Sequence, residues 1–379
     1  MKLRPHFSST PLIPALALAA TLSACSEAPP SEPTPLTEDA MAAIGPEPGT
    51  ARETLARAVD DIFTAEGVGE TRAVLVMREG EIIAERYSAG YDADTRHISW
   101  SMAKTVTAAL IGLLISDGKL SLDEPAPVPR WQRTGDARSE ITLRHLLQMR
   151  SGLEHTEAGS PPYESSEVRM LFLDGRSDMA RWAKEQPLEA EPGAKFEYSS
   201  NTSVILADIA ARALTESDEP EARRKAVADY LHARLFEPLE MTTIVPEFDA
   251  AGTFIGGSLM HASARDWARF GEFLRNKGSY KGTQILPRAW AEQMVTPSPA
   301  SAHYGFQTWL NRKREEAETP HPLFPDRAPD SVFAMIGHMG QYVIVSPEQK
   351  LTVVRLGHSN REERVKMLGE VADIFELYP

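Results

Sequence analysis

The chain has 379 residues, of which 42% are hydrophobic and 25% are charged, the composition of an ordinary globular protein that can bury a substantial core. Its 40 Lys and Arg against 54 Asp and Glu give a net charge of −14 with no basic block, which argues against nucleic acid as a partner. Ten scattered histidines and a single cysteine exclude a thiolate zinc site and an intrachain disulfide, and nothing in the sequence calls for a metal or another cofactor.

The first 24 residues have the layout of a bacterial secretory signal. Lys2 and Arg4 precede a small and apolar run that is too short and too weakly hydrophobic to span a bilayer. The run ends Leu-Ser-Ala-Cys, which resembles the lipobox, where the cysteine is lipidated after cleavage. A buried, functionless Cys25 is the alternative, but a sole cysteine at this position favours lipidation. By resemblance to such lipoproteins, Ser26 favours the outer membrane, with the protein facing the periplasm.

Residues 25–50 are predicted to be a lipidated cysteine followed by a tether. The segment is rich in proline, glutamate and small residues, and such a composition cannot bury enough apolar surface to fold. The globular body, residues 51–379, is therefore expected near a membrane of the cell envelope, with no part of it inside the bilayer.

The body begins with a predicted helix over residues 51–66, where the apolar residues recur at helical spacing. Two strands, RAVLVMR and IIAERYS, follow with a Glu-Gly-Glu turn between them. The apolar run from Ser101 to Ser116 predicts a buried helix. Further helices are predicted near residues 142–152, 178–185, 202–214, 222–235, 263–276, 287–295 and 361–377. Late strands are predicted at YGFQTWLNR, YVIVSP and LTVVRLG.

Strands at both ends of the body and helices in its middle predict an α+β fold. We expect an antiparallel β-sheet flanked by helices, with an inserted helical subdomain at about residues 125–245. No regular alternation of strand and helix is present, which argues against a parallel sheet.

Ser101 and Lys104 form the strongest chemical pattern. Their spacing places a hydroxyl at the start of a helix and an amine one turn later on the same face. A nucleophilic serine needs a proton acceptor and positive potential, which the amine and the helix N-terminus supply. We expect the apolar helix to desolvate Lys104 and lower its pKa. The same spacing at Ser116 and Lys119 lies at a polar helix end and is not a candidate.

Several ordered blocks resemble the serine β-lactamase and penicillin-recognising family, in its class C-like esterase, peptidase and amidase branch. They are SWSMAKTVTAALIGLLISDGKLSLDEP, ITLRHLLQMRSGL, PGAKFEYSSNTSVILADIAARAL, LFEPLEM, GGSLMHASARDWARFGEFL and GHMGQYVIVSPEQKLTVVRLG. The resemblance covers about residues 70–358 and implies a β-lactamase/transpeptidase-like fold for the body.

The resemblance implies that Ser101 is the acylated nucleophile, Lys104 its helix partner and Tyr198 the second motif's proton carrier. Ser200 falls where class C β-lactamases carry Asn, and His338-Met339-Gly340 falls where they carry Lys-Thr-Gly. Backbone N–H groups of Ser101 and Gln341 would form the oxyanion hole. Because two of three motifs are altered, an esterase, amidase or peptidase is expected rather than an efficient β-lactamase.

The roles of some residues stay open between function and packing. His338 is favoured to line the site, because its glycine-flanked segment lies next to a strand. Trp100 and Trp309 either pack near the mouth of the site or fill the core. The Gly256-Gly257-Ser258 stretch is expected to mark a close approach of backbone rather than a ligand loop.

Three functions remain in competition. The leading one is a serine hydrolase that forms an acyl-enzyme on Ser101 and cleaves a small ester, a peptide or a β-lactam-like substrate. The second is a penicillin-binding-like envelope sensor with little or no turnover. The third, a structural lipoprotein, is disfavoured because packing alone does not need Ser101, Lys104 and Tyr198 together. The sequence does not define the natural substrate or the oligomeric state.

Overall fold

The computed structural model describes residues 35–313 and 323–378, so the predicted signal peptide, Cys25 and residues 26–34 of the predicted tether lie outside the described residues. The helices are α1 (Glu38–Ala42), α2 (Arg52–Thr64), α3 (Ala103–Ser116), α4 (Leu143–Leu147), α5 (Ser166–Phe172), α6 (Met179–Glu185), α7 (Ser200–Leu214), α8 (Pro220–Leu231), α9 (Ala264–Arg275), α10 (Arg288–Met294) and α11 (Arg361–Glu376). The strands are β1 (Glu70–Arg78), β2 (Glu81–Tyr87), β3 (His97–Ile98), β4 (Val245–Pro246), β5 (Met260–Ala262), β6 (Ser279–Tyr280), β7 (Thr283–Gln284), β8 (Trp309–Leu310), β9 (Phe333–Gly337), β10 (Gln341–Ser346) and β11 (Leu351–His358).

A six-stranded sheet in the order β2-β1-β11-β10-β9-β8 forms the centre of the fold. Every neighbouring pair in it is antiparallel. The early hairpin joins the late strands through β1 and β11, where Glu70 lies opposite His358 and Arg78 opposite Leu351. The two ends of the body therefore build one antiparallel sheet, as the sequence predicts.

The two faces of the sheet pack against different layers of helices. Along β1, Leu75 and Met77 belong to the same core cluster as α3, α7 and α9, whereas Val74 and Val76 belong to the cluster with α2 and α11. This alternation follows from the two-residue period of a strand. Most residues of the central strands β10 and β11 are buried, as expected for a sheet covered on both faces.

Helices and irregular segments fill most of the chain between β3 and β4 and hold two long helices against each other. The helices α3 and α7 pack together, and α7 also contacts α4, α6 and α8. From Ala103 to Leu114 every residue of α3 is buried, which explains why its apolar residues form no single stripe. Ser101 precedes α3 and Tyr198 precedes α7, so this pairing brings both to the same end of the helix layer.

The folded body begins earlier than the predicted tether boundary at residue 50. Residues 36–50 include α1 and belong to the same structural unit as the rest of the body. Ala40 and Ile44 are buried, and the hydroxyl of Tyr378 donates to the carbonyl of Pro48 at 2.9 Å. The few apolar residues of this segment pack against the body, which composition alone does not reveal.

Two predicted elements are shorter than expected. The strand predicted at YGFQTWLNR is reduced to β8, because the chain turns at Gln307, whose φ is +52° and whose side-chain amide donates to the carbonyls of Leu146 and Leu147. The helix predicted to Gly152 ends at Leu147, just before Met149 takes a φ of +55°. Of the helices in the described part of the chain, none is both long and apolar enough to cross a membrane.

Candidate active site

Ser101 lies in a 3₁₀ turn, Trp100–Met102, that leads directly into α3. Trp100 has a φ of +45°, a left-handed conformation that is uncommon for a bulky residue and that sets the direction in which the chain enters the turn. The Nζ of Lys104 donates to the Oγ of Ser101 at 2.9 Å. The spacing of the two residues therefore produces the contact that the sequence predicts.

The environment of Lys104 differs from the expected one. Its side chain is 1% exposed, and its Nζ also donates to the Oγ of Ser200 and to the carbonyl of Gly257, both at 2.8 Å. Burial alone lowers the pKa of Lys104, but its interactions with Tyr198, Glu157 and Glu167 outweigh the burial and raise the pKa above its ordinary value. The prediction of a lowered pKa was wrong, and Lys104 is an ammonium at neutral pH.

Tyr198 lies immediately before α7 and interacts with both Ser101 and Lys104. Its ring packs against Trp309, with the centroids 5.1 Å apart, and lies edge-to-face with Tyr304. The Nζ of Lys104 is 4.7 Å from the centre of the Tyr198 ring. Burial raises the pKa of Tyr198, while the charge of Lys104 acts in the opposite direction. Trp309 thus packs beside the site.

Ser200 occupies the first position of α7, after Ser199 caps the helix by accepting from the N–H of Thr202. The Oγ of Ser200 accepts from Lys104 and donates to the carboxylate of Glu157 at 2.7 Å, and the N–H of Ser200 donates to the other oxygen of Glu157 at 2.6 Å. Ser200 therefore joins the Lys104 ammonium to a carboxylate.

Glu157 and Glu167 are site residues that the sequence did not single out. Glu157 is 3.6 Å from the Nζ of Lys104, and the carboxyl of Glu167 is 3.4 Å from the Oγ of Ser200. Burial and the nearby charge of Glu157 raise the pKa of Glu167 to about 8. Glu157 lies in a loop that is rich in Gly, Ser and Pro, and Glu167 lies in the first turn of the short helix α5, so no local signal marks either residue.

Buried polar contacts hold this loop in place. His155, which is buried, contacts the Oγ1 of Thr202 on α7 and the carbonyl of Ala183. The hydroxyl of Thr156 accepts from the N–H of Ser166, and the Oγ of Ser166 donates to the carbonyl of Thr156. These bonds close the loop between Glu157 and Glu167 and fix both carboxyl groups against the start of α7.

The turn between β9 and β10 carries the other predicted site residues, His338, Gly340 and Gln341. The ring of His338 lies edge-to-face with Trp100, with the centroids 5.3 Å apart, which places Trp100 beside the site as well. The side-chain amide of Gln341 is directed inward and donates to the carbonyl of Gly357 at 2.6 Å. Both β9 and β10 contact the 3₁₀ turn of Ser101.

His338 keeps contact with solvent, but partial burial and the positive charges of Arg364 and His358 lower its pKa. The imidazole is therefore neutral at neutral pH. This position offers no fixed positive charge to an anionic substrate group.

The glycines at Gly256 and Gly257 mark a close approach of backbone. A side-chain carbon at Gly257 would stand 2.6 Å from the carbonyl oxygen of Ser200. The hydroxyl of Thr107 on α3 donates to the carbonyl of Gly256 at 2.8 Å. This segment therefore packs against both long helices, and it supplies the Gly257 carbonyl that holds Lys104.

The structure thus brings Ser101, Lys104, Tyr198 and Ser200 into one hydrogen-bonded group and places the His338 turn beside it. A serine hydroxyl in this position can attack a carbonyl carbon. Its proton can pass to Lys104 or Tyr198 when one of these two groups has lost a proton. Among residues 35–313 and 323–378, no three histidine, cysteine or acidic side chains are grouped so as to hold a metal ion.

Comparisons with known proteins agree with this geometry. Residues 59–374 match the family model described as Beta-lactamase. A relative, the 6-aminohexanoate-dimer hydrolase of Paenarthrobacter ureafaciens, is 26% identical over 238 residues, which are 59% of this chain and 57% of that protein. The chain therefore spans little more than half the length of this curated relative.

Solved structures of similar fold include a beta-lactamase from Mycobacterium bovis and a family VIII carboxylesterase. The first has a TM-score of 0.60 and 18% identity and covers 85% of this chain and 100% of that chain. The second has a TM-score of 0.60 and 16% identity and covers 87% of this chain and 98% of that chain. These likenesses establish the β-lactamase/transpeptidase-like fold.

Proposed function

The chain belongs to the beta-lactamase family, and from that premise we propose that it is a serine hydrolase that cleaves an ester or amide through an acyl-enzyme on Ser101. The observation that carries the proposal is the hydrogen-bonded sequence from Ser101 to Lys104 to Ser200, with Tyr198 beside the first two. A packed structural protein has no need of a buried ammonium aimed at a half-buried serine hydroxyl.

In the acylation step the Oγ of Ser101 bonds to the substrate carbonyl carbon, and its proton passes to the form of the Lys104–Tyr198 unit that has lost one proton, a Lys104 ammonium beside a Tyr198 phenolate. The same unit returns the proton to the leaving alcohol or amine as the bond to it breaks. Lys104, as an ammonium 2.9 Å from the Oγ, stabilises the alkoxide character that develops there. A water molecule then attacks the acyl-enzyme by the reverse sequence of proton transfers.

We further propose that the preferred substrates carry a neutral acyl group, such as a short-chain ester. A neutral His338 gives the site no fixed charge for a carboxylate, and Glu157 adds a negative charge near Lys104. Anionic acyl groups would therefore be bound less well. The similarity to the 6-aminohexanoate-dimer hydrolase supports the proposal that amide bonds are cleaved as well as esters.

The proposed place of action is the cell envelope, through a lipid on Cys25 and with the outer membrane, facing the periplasm, as the favoured site. The support is the lipobox-like Leu-Ser-Ala-Cys sequence, which lies outside the described residues.

The activity is tested by treating the full chain with a fluorophosphonate probe and measuring its intact mass. The native protein should gain one adduct, and Ser101→Ala should gain none. A panel of neutral esters, D-alanyl peptides and a chromogenic cephalosporin should then show turnover, with the neutral esters fastest. An adduct that survives in Ser101→Ala would overturn the assignment of the nucleophile. A stable acyl adduct without turnover of any substrate would favour the sensor function instead.

A further inference from the structure

The carboxylate of Glu157 is tied to Lys104 by two routes. One is direct, with the Nζ of Lys104 at 3.6 Å. The other runs through Ser200, whose hydroxyl accepts from Lys104 and donates to Glu157. A hydroxyl has one proton to donate, and Ser200 donates it to Glu157. The two hydrogen bonds therefore run in one direction, from the Lys104 ammonium through Ser200 to the Glu157 carboxylate.

Glu157 and Glu167 together carry one negative charge at neutral pH. Both contact the hydroxyl of Ser200, and two carboxylates this close do not both ionise easily. The carboxylate of Glu157 receives both the N–H and the hydroxyl of Ser200 at the start of the 15-residue helix α7, where the helix dipole favours an anion. Glu167 lacks that N–H, and its raised pKa agrees with its being the protonated partner.

On the basis of the proposed function, in which Lys104 and Tyr198 move the proton of Ser101, we infer that Glu157 and Glu167 form a positioning pair. The negative charge of the pair, held at Ser200, sets the pH range in which Ser101 is activated and shifts that range to alkaline pH.

The direction follows from charge. A negative charge beside a proton acceptor makes the loss of its proton harder, whether the acceptor is the amine of Lys104 or the phenol of Tyr198. Glu157 acts in this sense on both groups. The inference therefore holds for either route of the Ser101 proton. The titratable and charged groups that face the pair are Lys104 on α3, Tyr198 before α7, Tyr304 in the loop before β8 and His338 after β9.

The experiment measures the second-order rate constant of fluorophosphonate labelling of the full chain from pH 6 to 10.5. This rate depends on the protonation state of the group that accepts the Ser101 proton in the free enzyme. It can be measured without knowing the natural substrate. Native protein should react faster as the pH rises through the alkaline range. In Glu157→Gln the midpoint should move to lower pH by about one to three pH units, because an opposite charge next to Lys104 is lost.

The pair predicts a graded result. Above its pKa of about 8, Glu167 is also ionised. Glu167→Gln should therefore move the midpoint to lower pH as well, but less than Glu157→Gln, because Glu157 lies 3.6 Å from the Nζ of Lys104 whereas Glu167 approaches the hydroxyl of Ser200. The double variant, which loses both charges, should show a larger shift than either single variant.

The matched control is Glu164→Gln, which removes an exposed carboxylate from the same loop. Its midpoint should equal that of the native protein. A purely structural role of Glu157 would reduce the labelling rate equally at every pH and leave the midpoint in place. That result, or a double variant with the native midpoint, would overturn the inference while the hydrolase proposal stood. Native protein that is not labelled at Ser101 would overturn both.

Discussion

The guanidinium of Arg355 donates to the carbonyl of Gly340 at 2.8 Å and so ties the turn beside the active site to the middle of the central sheet. Arg355 is 0% exposed and also donates to the hydroxyls of Thr71 and Ser359 and the carbonyl of Glu70. Burial lowers its pKa to about 10, which still leaves it a cation at physiological pH. The buried arginine is therefore a rigid support for the His338 turn.

Replacing Arg355 by Met should destabilise the protein by about 1–3 kcal/mol, because the carbonyls of Gly340 and Glu70 lose their donor inside the fold. Chemical denaturation should show this as a lower midpoint. The matched control is Arg181→Met, which removes an exposed arginine that pairs with Glu185 and should change stability by less than about 0.5 kcal/mol. Equal effects of the two substitutions would contradict the supporting role of Arg355.

Lys104 and Tyr198 should act as one proton-transfer unit. Lys104→Ala and Tyr198→Phe should each lower kcat by roughly 10²- to 10⁴-fold, the range for loss of a general base, and the double variant should cost little more than the worse single one. Steady-state kinetics on a short-chain ester checks this. Losses that multiply would instead assign the two residues to separate steps.

The preference for a neutral over an anionic substrate should not depend on His338 between pH 6.5 and 8.5. Because partial burial and the charges of Arg364 and His358 lower its pKa, its imidazole gains a proton only at more acidic pH. The ratio of kcat/KM for a matched neutral and anionic ester should therefore be flat in this range and fall only below it, as a positive His338 begins to attract the anionic ester. His338→Gln should abolish the acidic change; a change that persists would assign it to another group.

Cys25→Ser should release the protein from membranes. The prediction rests on the lipobox-like sequence and on Cys25 being the only cysteine. Fractionation of cells that express the full chain, followed by sucrose-gradient separation of the membranes, should place the native protein in the outer-membrane fraction and the variant in the soluble fraction. A variant that stays with the membranes would argue for another anchor.

The features that local pattern determines were predictable from the sequence. Ser101 and Lys104 meet because residues three apart share a helix face, and the antiparallel sheet follows from the position of alternating segments at both ends of the body. The charge of Lys104 was not predictable. Its burial follows from the apolar run of α3. The fold, however, brings Tyr198, Glu157 and Glu167 to it from three separate segments, and their interactions with Lys104 reverse the sign of the pKa shift.

The hydrogen bonds that residues 43–45 make with β2 bear on the solution behaviour of the protein. The N–H of Glu85 donates to the carbonyl of Ala43, and the N–H of Gly45 donates to the carbonyl of Ile83, each at 2.9 Å. These bonds occupy backbone groups on the outer side of β2, at one margin of the six-stranded sheet. Unpaired groups there would be a template for strand pairing between molecules. A chain shortened to begin at residue 51 would thus keep its active-site residues and yet become prone to self-association.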